Sequence, residues 1–335
     1  MDSLSQLALG ASIGVAVMGR RTAVWKAALW GGIAGTLPDL DVFIDYGNDL
    51  ANMVNHRAES HSLFYLTLFS PTLAAVAWRI HERAHFRRWW LMLWLVLITH
   101  VLLDASTVYG TRLGLPFTDH AFGTGSLFII DPLYTLPLLL GLALALMWRG
   151  ELAWRANLIG LTLSTLYIGW SLAAQAQVAQ IARQSLPGDA SAQARLIVTP
   201  TAFNTVLWRV LAHDGERYHE GFYSLFDAQP QIRFTSHDAG RAIGERLPAD
   251  GPAASLKQFA NGFVKYAQSD GVLSITDLRM GQEPHYVFRF VLAQESDSGE
   301  LQAITPRQSG GRGDARAGLR WVWQRMQGQD LPPPR

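Results

Sequence analysis

The chain has 335 residues, of which 49% are hydrophobic and only 16% charged, whereas about a quarter of an ordinary soluble domain is charged. The formal net charge of +1 gives no indication of a nucleic-acid-binding surface. The absence of cysteine excludes disulfide bonds and thiolate metal sites, and it is compatible with a bacterial envelope protein or a cytosolic one. The opening stretch MDSLSQLALG lacks the basic residues that begin a signal peptide, so we expect no cleaved signal peptide.

Long apolar segments are concentrated before residue 175. They cover residues 7–19, 27–38, 63–79, 89–106, 127–148 and 156–174. The last four have the composition of transmembrane helices, which need about 20 apolar residues and tolerate a proline such as Pro71. The first two are shorter, but their GASIG and GGIAG stretches would let two helices approach closely as a tight hairpin. The sequence therefore predicts an α-helical membrane domain of about six spans.

The basic residues predict the orientation of these segments. The links after the first, third and fifth segments carry nine of the eleven Lys and Arg residues that precede residue 175. With six spans, all three links fall on one side of the membrane, and short basic links face the cytoplasm. We therefore expect a multi-pass protein of the bacterial inner (cytoplasmic) membrane, with both termini and the C-terminal domain extracytoplasmic.

The remainder of the chain has the pattern of a soluble domain. The polar stretch AAQAQVAQIARQSL predicts a helix, which we interpret as a linker over 176–190. Turn signals such as HDG and SDG separate the strand-like runs that follow, which are ARLIVTP, TVLWRVLAH, GFYSLF, QIRFTS, GVLSITDL and HYVFRFVLA. The sequence therefore predicts a membrane domain over 1–175, a small α+β or mostly β domain over 191–325, and a flexible tail over 326–335.

Polar residues suited to chemistry fall in four motifs, all predicted on the extracytoplasmic face. These are Asp39 and Asp41 in GTLPDLDVF, His56, Arg57, Glu59 and His61 in NHRAESHS, His100 and Asp104 in THVLLD, and Arg112 in STVYGTRLGLPFTDH. His100 and Asp104 share one helix face, with Cβ atoms about 5–6 Å apart. This spacing suits two ligands of one metal ion, although the two side chains could also simply hydrogen-bond to each other. Ionisable groups within a span are costly and mark a functional site by default.

The other acids and histidines extend this candidate site. Asp39 and Asp41 follow a proline and diverge in an extended turn, so one could bind a metal while the other supports a second ion or a histidine. Taken alone, they could also form a solvated helix terminus, and His56 and His61 could be interfacial histidines. Imidazole and carboxylate are the usual ligands where no thiol exists. The joint pattern predicts a divalent metal, zinc first with manganese or iron as alternatives, bound by Asp39, Asp41, His56, His61, His100 and Asp104.

Such a site points to hydrolysis. One or two divalent ions would lower the pKa of a bound water to near neutrality and polarise a carbonyl or phosphoryl oxygen. Arg57 or Arg112 could pair with an anionic group of the substrate. Glu59 could act as a general base or orient a histidine.

The chain also resembles the YdjM-type family of bacterial inner-membrane proteins, which are described as predicted metal-dependent hydrolases. The resemblance lies in MDSLSQLALG, GTLPDLDVF, HRAESHSLF, THVLLDASTVYGTRL and FIIDPLYTLPLL, covers about residues 1–175, and extends further for a subgroup with an added outer domain. It implies a metal site built from the PDxD, HRxxSHS and HxxxD motifs. The family is distantly similar to zinc-dependent phospholipases C, which implies phosphoester cleavage on a lipid head group. Relatives carry a histidine where this chain has Gln6, which leaves open whether Gln6 or Asp2 takes part in the site.

Three function classes compete on this pattern. The leading hypothesis is a membrane-bound, metal-dependent hydrolase whose partners are the lipid bilayer and a lipid or other phosphoester substrate. The alternative is a non-enzymatic envelope membrane protein with a structural metal site, whose outer domain binds a partner. A transporter or channel is disfavoured, because the polar groups cluster at one face and do not line a path. We interpret the C-terminal domain as a cap or substrate-presenting module, and we expect no nucleic-acid partner.

Overall fold

The computed structural model describes residues 1–81, 83–186, 194–296, 300–311 and 313–334. The chain folds as two units. The helical unit comprises Met1–Phe43 and Arg57–Leu172, and the sheet unit comprises Ile44–His56 and Ala173–Arg335. The predicted linker over 176–190 falls partly on the end of a long helix and partly outside the described residues.

Every apolar segment of the N-terminal part forms a helix. In chain order the helices are α1 (Ser3–Met18), α2 (Val24–Thr36), α3 (Asp49–Asn55), α4 (Leu63–Ile80), α5 (Phe86–Asp104), α6 (Pro132–Met147) and α7 (Gly150–Ser185), where α3 is a short polar addition. Within the described residues, α4, α5 and α7 are long and apolar enough to cross a membrane, and α1 and α6 are shorter apolar helices. The predicted helical domain is confirmed, whereas its six spans stay a prediction.

The packing of α1 against α2 depends on glycine. A Cβ atom at Gly31 would lie 2.1 Å from the main-chain oxygen of Gly10, and one at Gly14 would lie 2.2 Å from that of Ala27. No side chain fits at such distances, so the two backbones are in direct contact. The tight small-residue hairpin predicted from GASIG and GGIAG is confirmed. It brings Gln6 of α1 and Gly35 of α2 to the same end of the unit, where both contact α5.

The sheet unit contains two four-stranded antiparallel sheets. The first has the order β1 (Arg195–Pro200), β2 (Leu207–His213), β3 (Arg217–Ser224), β4 (Thr235–Asp238). The second sheet consists of β5 (Val264–Ser269), β6 (Val272–Asp277), β9 (Arg289–Glu295) and β10 (Leu301–Gln308), in the order β10-β9-β6-β5, and β7 (Gly281–Gln282) pairs with β8 (His285–Tyr286). The further helices are α8 (Arg241–Gly244), α9 (Pro252–Phe259) and α10 (Ala315–Met326). The predicted sheet-rich C-terminal domain is confirmed.

Two helical segments that precede β1 in the chain pack onto these sheets. The last turns of α7 place Val178 and Ile181 against Trp208 and Tyr223 of the first sheet. This explains why the AAQAQVAQIARQSL stretch is polar overall yet helical: only one of its faces is covered. The second segment is α3, whose Asp49 accepts a hydrogen bond from the main chain of β10. The chain therefore leaves the helical unit after Phe43 and returns to it at Arg57.

Candidate metal centre

Four side chains converge where short turns meet the ends of the long helices. Asp39 lies on a 3-10 turn, Pro38–Phe43, that follows α2, and His61 ends a second 3-10 turn, Glu59–His61, that precedes α4. His100 and Asp104 lie on the last turns of α5. Each residue offers one ligand atom, and all four atoms lie within 4.8 Å of one another.

Five of the six spacings between the ligand atoms are close to those around a tetrahedral ion. His61 Nε2 lies 3.2 Å from Asp104 Oδ2, 3.4 Å from Asp39 Oδ1 and 3.3 Å from His100 Nε2. His100 Nε2 lies 3.6 Å from Asp39 Oδ1 and 3.5 Å from Asp104 Oδ2. A tetrahedral ion with bonds of about 2.0–2.1 Å holds its ligand atoms about 3.3–3.4 Å apart. The four residues therefore surround a position that one small divalent ion fits.

The hydrogen bond on the far side of His100 orients its ring. His100 Nδ1 lies 2.7 Å from the main-chain oxygen of Gly35. A carbonyl oxygen can only accept, so Nδ1 carries the proton and Nε2 of the neutral ring presents a lone pair to the cluster. A hydrogen bond of this kind is the usual way in which a protein selects the tautomer of a metal-binding histidine.

Ser60 and Asp41 together orient the ring of His61. Ser60 Oγ donates to Asp41 Oδ2 at 2.6 Å and lies 2.9 Å from His61 Nδ1. Because the hydroxyl proton is directed to Asp41, the hydroxyl oxygen is free to accept from Nδ1 of His61. Nε2 of this ring then also presents a lone pair. Two lone pairs that face each other at 3.3 Å require a cation or a proton between them.

The cluster is buried except on the side of Asp39. The side chains of His61, His100 and Asp104 are at most 1% exposed, whereas that of Asp39 is 21% exposed. An ion would therefore be approached from the side of Asp39. Among the described residues, Asp104 Oδ2 accepts no hydrogen bond, although Arg57 Nε lies 3.2 Å away. A cation at this point would compensate the cost of burying that oxygen.

The pKa shifts at the edge of the cluster agree with this charge balance. Burial by itself lowers the pKa of His61, but hydrogen bonds that the ring donates to the surrounding carboxylates outweigh it and raise the pKa to about 9. Burial raises the pKa of Asp39, but hydrogen bonds with His100 and His61 outweigh it and hold the pKa well below its usual value. The field at the cluster thus favours positive charge, from protons or from a metal ion.

Comparison with known proteins assigns the chain to a family. Residues 1–178, more than half of the chain, match the model of the family described as YdjM inner membrane protein. The chain belongs to the YdjM inner membrane protein family. All four residues of the cluster lie within the matched part. Family membership and the apolar helices show that it is a membrane protein, and the resemblance to the YdjM-type family is confirmed.

Two relatives extend this comparison. The chain is 28% identical over 138 residues to Uncharacterized protein YfhP of Bacillus subtilis (strain 168), over 39% of the chain and 42% of that protein. It is 36% identical over 93 residues to Inner membrane protein YbcI of Escherichia coli (strain K12), over 27% of the chain and 53% of that protein. The chain thus spans about half the length of these relatives. No solved structure matches the chain.

In this YdjM family member the two aspartates of the PDxD motif have different positions. Asp39 belongs to the cluster, whereas Asp41 lies behind His61, with Oδ2 at 3.5 Å from Nδ1 of that ring. Asp41 Oδ2 also accepts from the main-chain nitrogen of Arg57 at 2.9 Å. Asp41 therefore connects the two turns that carry Asp39 and His61.

Arg57 is the predicted catalytic residue that lies nearest to the cluster. Its side chain is buried, its Nη1 donates to Thr107, and its guanidinium lies over the ring of Tyr109. The backbone of Arg57 is left-handed, with φ of 65°, which is uncommon for a residue with a side chain. This conformation directs its nitrogen to Asp41 while its oxygen accepts from the main chain of Arg112.

The other predicted site residues lie outside the four-residue cluster. Glu59 begins the turn that ends at His61, and its side chain is exposed. Arg112 is half-buried and contacts Arg57 through its main chain. His56 ends α3 and belongs to the sheet unit. The metal-ligand role of His56 and the catalytic roles of Glu59 and Arg112 stay predictions.

The structure also answers the question raised by the N-terminal stretch. Gln6 is buried, and its Nε2 donates to Asp104 Oδ1 at 2.9 Å and to the main-chain oxygen of His100 at 3.1 Å. Asp2 instead accepts from the main chain of Leu4 and Ser5 and caps α1. Gln6 therefore supports the cluster from behind. The resemblance to the family had pointed to position 6, whereas the role of Ser60 carried no sequence signal, because it depends on contacts between separate segments.

Proposed function

We propose that the protein is a membrane-bound, metal-dependent hydrolase whose site lies at the extracytoplasmic face and acts on phosphoesters or lipid head groups. The observation that carries this proposal is the convergence of two oriented imidazole Nε2 atoms and two carboxylate oxygens at tetrahedral spacing. Membership of the YdjM inner membrane protein family supports the membrane setting. The ends of α2 and α5 and the start of α4 share the cluster, which supports a site at one face of the helical unit.

Zinc is the ion that we propose. A donor set of two imidazoles and two carboxylates with ligand atoms 3.2–3.6 Å apart suits a small ion of low coordination number. Calcium prefers six to eight oxygen ligands at longer distances, so this donor set disfavours it. Manganese and iron accept the same ligand types. Elemental analysis of protein purified without chelators decides among the three.

Each residue around the cluster has a separate role in this proposal. A bound divalent ion supplies a Lewis acid that polarises a phosphoryl oxygen and lowers the pKa of water. Asp41 and Ser60 hold the tautomer of His61, and Gly35 holds that of His100. Arg57 and the N-terminal ammonium of Met1 balance the charge of the buried Asp104 carboxylate. Arg112 and Glu59 are proposed to contact the anionic group and to accept a proton.

The test compares matched histidine variants of the full-length protein in detergent. We expect purified wild-type protein to contain about one divalent ion per chain and to hydrolyse a phosphodiester or phospholipid. His100→Ala should remain in the membrane fraction and elute as wild type, but lose both metal and activity. The control is His120→Ala, which removes an exposed loop histidine. Wild-type protein without divalent metal, or full activity in His100→Ala, would overturn the proposal.

A structural metal site is the second candidate, and one observation favours it. Four protein ligands at tetrahedral spacing are typical of structural sites, whereas catalytic sites keep one position open. On this alternative the protein is non-enzymatic and the sheet unit binds an envelope partner. Removal of the metal separates the two: a structural site predicts unfolding of the helical unit. The hydrolase proposal predicts a folded, inactive protein that regains activity when the metal is returned.

The proposed location requires its own experiment. A reporter enzyme that is active only after export, fused after Leu186, should be active. A second fusion at the same residue to a reporter that is active only in the cytoplasm should be inactive. The reverse result would place the sheet unit in the cytoplasm and exclude an extracytoplasmic site.

A further inference from the structure

The turn that carries Asp39 also carries unusually exposed apolar side chains. Leu40, Val42 and Phe43 are 52%, 66% and 82% exposed. On the same turn, Asp39 belongs to the metal cluster and Asp41 accepts a hydrogen bond from Ser60. A solitary exposed apolar residue needs no explanation. Here three such residues lie on the same turn as Asp39, the most exposed ligand of the cluster, so apolar surface borders the open side of the metal site.

Hydrogen bonds hold this turn in its exposed form. Asp41 Oδ2 accepts from the main-chain nitrogen of Arg57 and from Ser60 Oγ, and the nitrogen of Leu40 donates to the oxygen of Leu37. These hydrogen bonds fix the turn at Asp41, which lies between the exposed residues Leu40 and Val42. The Ser60 hydroxyl that donates to Asp41 also orients His61, so this turn and the His61 ring share one support.

An exposed apolar pair lies beside the other ligand-bearing turn, Glu59–His61. Phe64 and Phe117 are 41% and 79% exposed, and their ring centroids lie 5.4 Å apart in an edge-to-face contact. Phe64 is the second residue of α4, three residues after His61. The loop that carries Phe117 is fixed to the start of α4, because the nitrogen of Leu63 donates to the oxygen of Leu113. Exposed apolar side chains therefore border both ligand-bearing turns.

We propose that these five side chains form an apolar rim that binds the acyl chains of a membrane amphiphile, whose head group reaches the metal cluster. The rim consists of Leu40, Val42, Phe43, Phe64 and Phe117. The substrate class is then a phospholipid-type molecule of the surrounding bilayer. This inference rests on the proposed hydrolase function. Three features support it: the exposure of the cluster on the side of Asp39, the position of Asp39 next to Leu40 of the rim, and the setting in a membrane protein.

The first experiment compares two substrates that share the phosphodiester but differ in the apolar part. These are a diacyl phospholipid in mixed micelles and water-soluble bis(p-nitrophenyl) phosphate. We expect Val42→Ser/Phe43→Ser to lower kcat/KM about tenfold or more on the phospholipid and less than about twofold on the soluble diester, with metal content unchanged. Phe226→Ser is the control, because Phe226 is 68% exposed in the sheet unit. Equal losses on both substrates, or hydrolysis of the soluble diester alone by wild type, would overturn the inference.

The second experiment does not depend on activity. The chain contains no cysteine, so Phe43→Cys provides a single attachment point for an environment-sensitive fluorophore. In bilayers that contain spin-labelled phospholipids we expect quenching at position 43 and little at Glu216→Cys, which replaces an exposed side chain of a β-hairpin turn. Absence of quenching at position 43 overturns the inference whatever the activity. If metal-loaded wild-type protein hydrolyses neither substrate, the proposed function is overturned. The quenching at position 43 tests the lipid contact of the rim independently of that result.

Discussion

The Nε2 atoms of His61 and His100 lie 3.3 Å apart, and each ring has its Nδ1 atom hydrogen-bonded on the opposite side. Two neutral imidazoles held in this way repel each other through their lone pairs. The arrangement is stable only with a positive charge between the rings, supplied by a metal ion or by protonation of His61. Since carboxylate oxygens of Asp39 and Asp104 lie within 4.8 Å of the same two nitrogens and of each other, a divalent ion is the better occupant.

Asp41 should affect metal affinity without being a ligand. Asp41→Asn keeps an oxygen that accepts from Arg57 but removes the negative charge next to His61 Nδ1. We expect affinity to fall about 10- to 100-fold, the usual effect of a residue that orients a metal-binding histidine. Competition with a chromophoric chelator measures it. Asp39→Asn should lower metal affinity further. Asp45→Asn is the control and should leave metal affinity unchanged, because the Asp45 carboxylate accepts a local hydrogen bond from the main chain of Gly47. Equal affinities for Asp41→Asn and wild type would contradict this role.

Gln6 should stabilise the folded helical unit and the metal site together. Gln6→Leu removes the donor to Asp104 Oδ1 and to the oxygen of His100 in a buried environment. Asp104 Oδ1 keeps the N-terminal ammonium of Met1 as a donor, so the cost is that of losing the buried hydrogen bonds of Gln6, about 1–3 kcal/mol of unfolding free energy. Thermal unfolding with and without added metal measures both effects, and Leu7→Ala, at a 42% exposed neighbour, is the control. If Gln6→Leu has the unfolding temperature and the metal affinity of wild type, the hydrogen bonds that Gln6 donates contribute to neither.

Close contact between α1 and α2 should be required for the metal centre as well as for the fold. In Gly31→Ala the new Cβ would meet the oxygen of Gly10 at 2.1 Å, so the helices must separate. We expect a loss of about 1–3 kcal/mol and weaker metal binding, because Gly35 then moves away from His100. Gly169→Ala is the matched control, because its Cβ would meet nothing within 4 Å. Thermal stability in detergent and metal content report the result; a tolerated Gly31→Ala would contradict the contact.

The stability of the sheet unit should depend on pH through His213. Its Nδ1 accepts from the nitrogen of Gly215 and its Nε2 lies 3.1 Å from the oxygen of Val264, so the neutral ring is satisfied on both sides. Burial lowers the pKa of His213 from its usual 6.5. The unfolded chain therefore binds more protons than the native one, and stability falls as pH decreases below 6.5.

Urea unfolding of the intact protein at pH 7.5 and at pH 5.5 measures this dependence. His213→Asn should be less stable at pH 7.5 but should lose less stability on acidification than wild type does. His285→Asn is the control, because His285 is only half-buried. The same loss on acidification in His213→Asn and wild type would assign the pH dependence to other groups.

The sequence by itself determined the local features of this protein. The apolar segments identified the helices, and the small residues of GASIG and GGIAG identified the tight hairpin, because backbone contact requires them. The four-residue spacing of His100 and Asp104 placed both on one helix face, because the helix repeat alone decides that. Strand-like runs identified the sheet-rich domain, whereas α10 was not predicted, because its polar, Arg-rich stretch follows a Gly-rich segment typical of a flexible tail.

Only the tertiary structure decided which side chains meet. Asp39 and Asp41 are equivalent as residue types, and so are His56 and His61. The 3-10 turns direct Asp39 and His61 to the cluster, place Asp41 behind His61, and leave His56 with the sheet unit. The direction of a side chain on a short turn is set by contacts with distant segments, such as Ser60 with Asp41 and Gly35 with His100. Such contacts have no period in the sequence, since they form only when separate helices pack together.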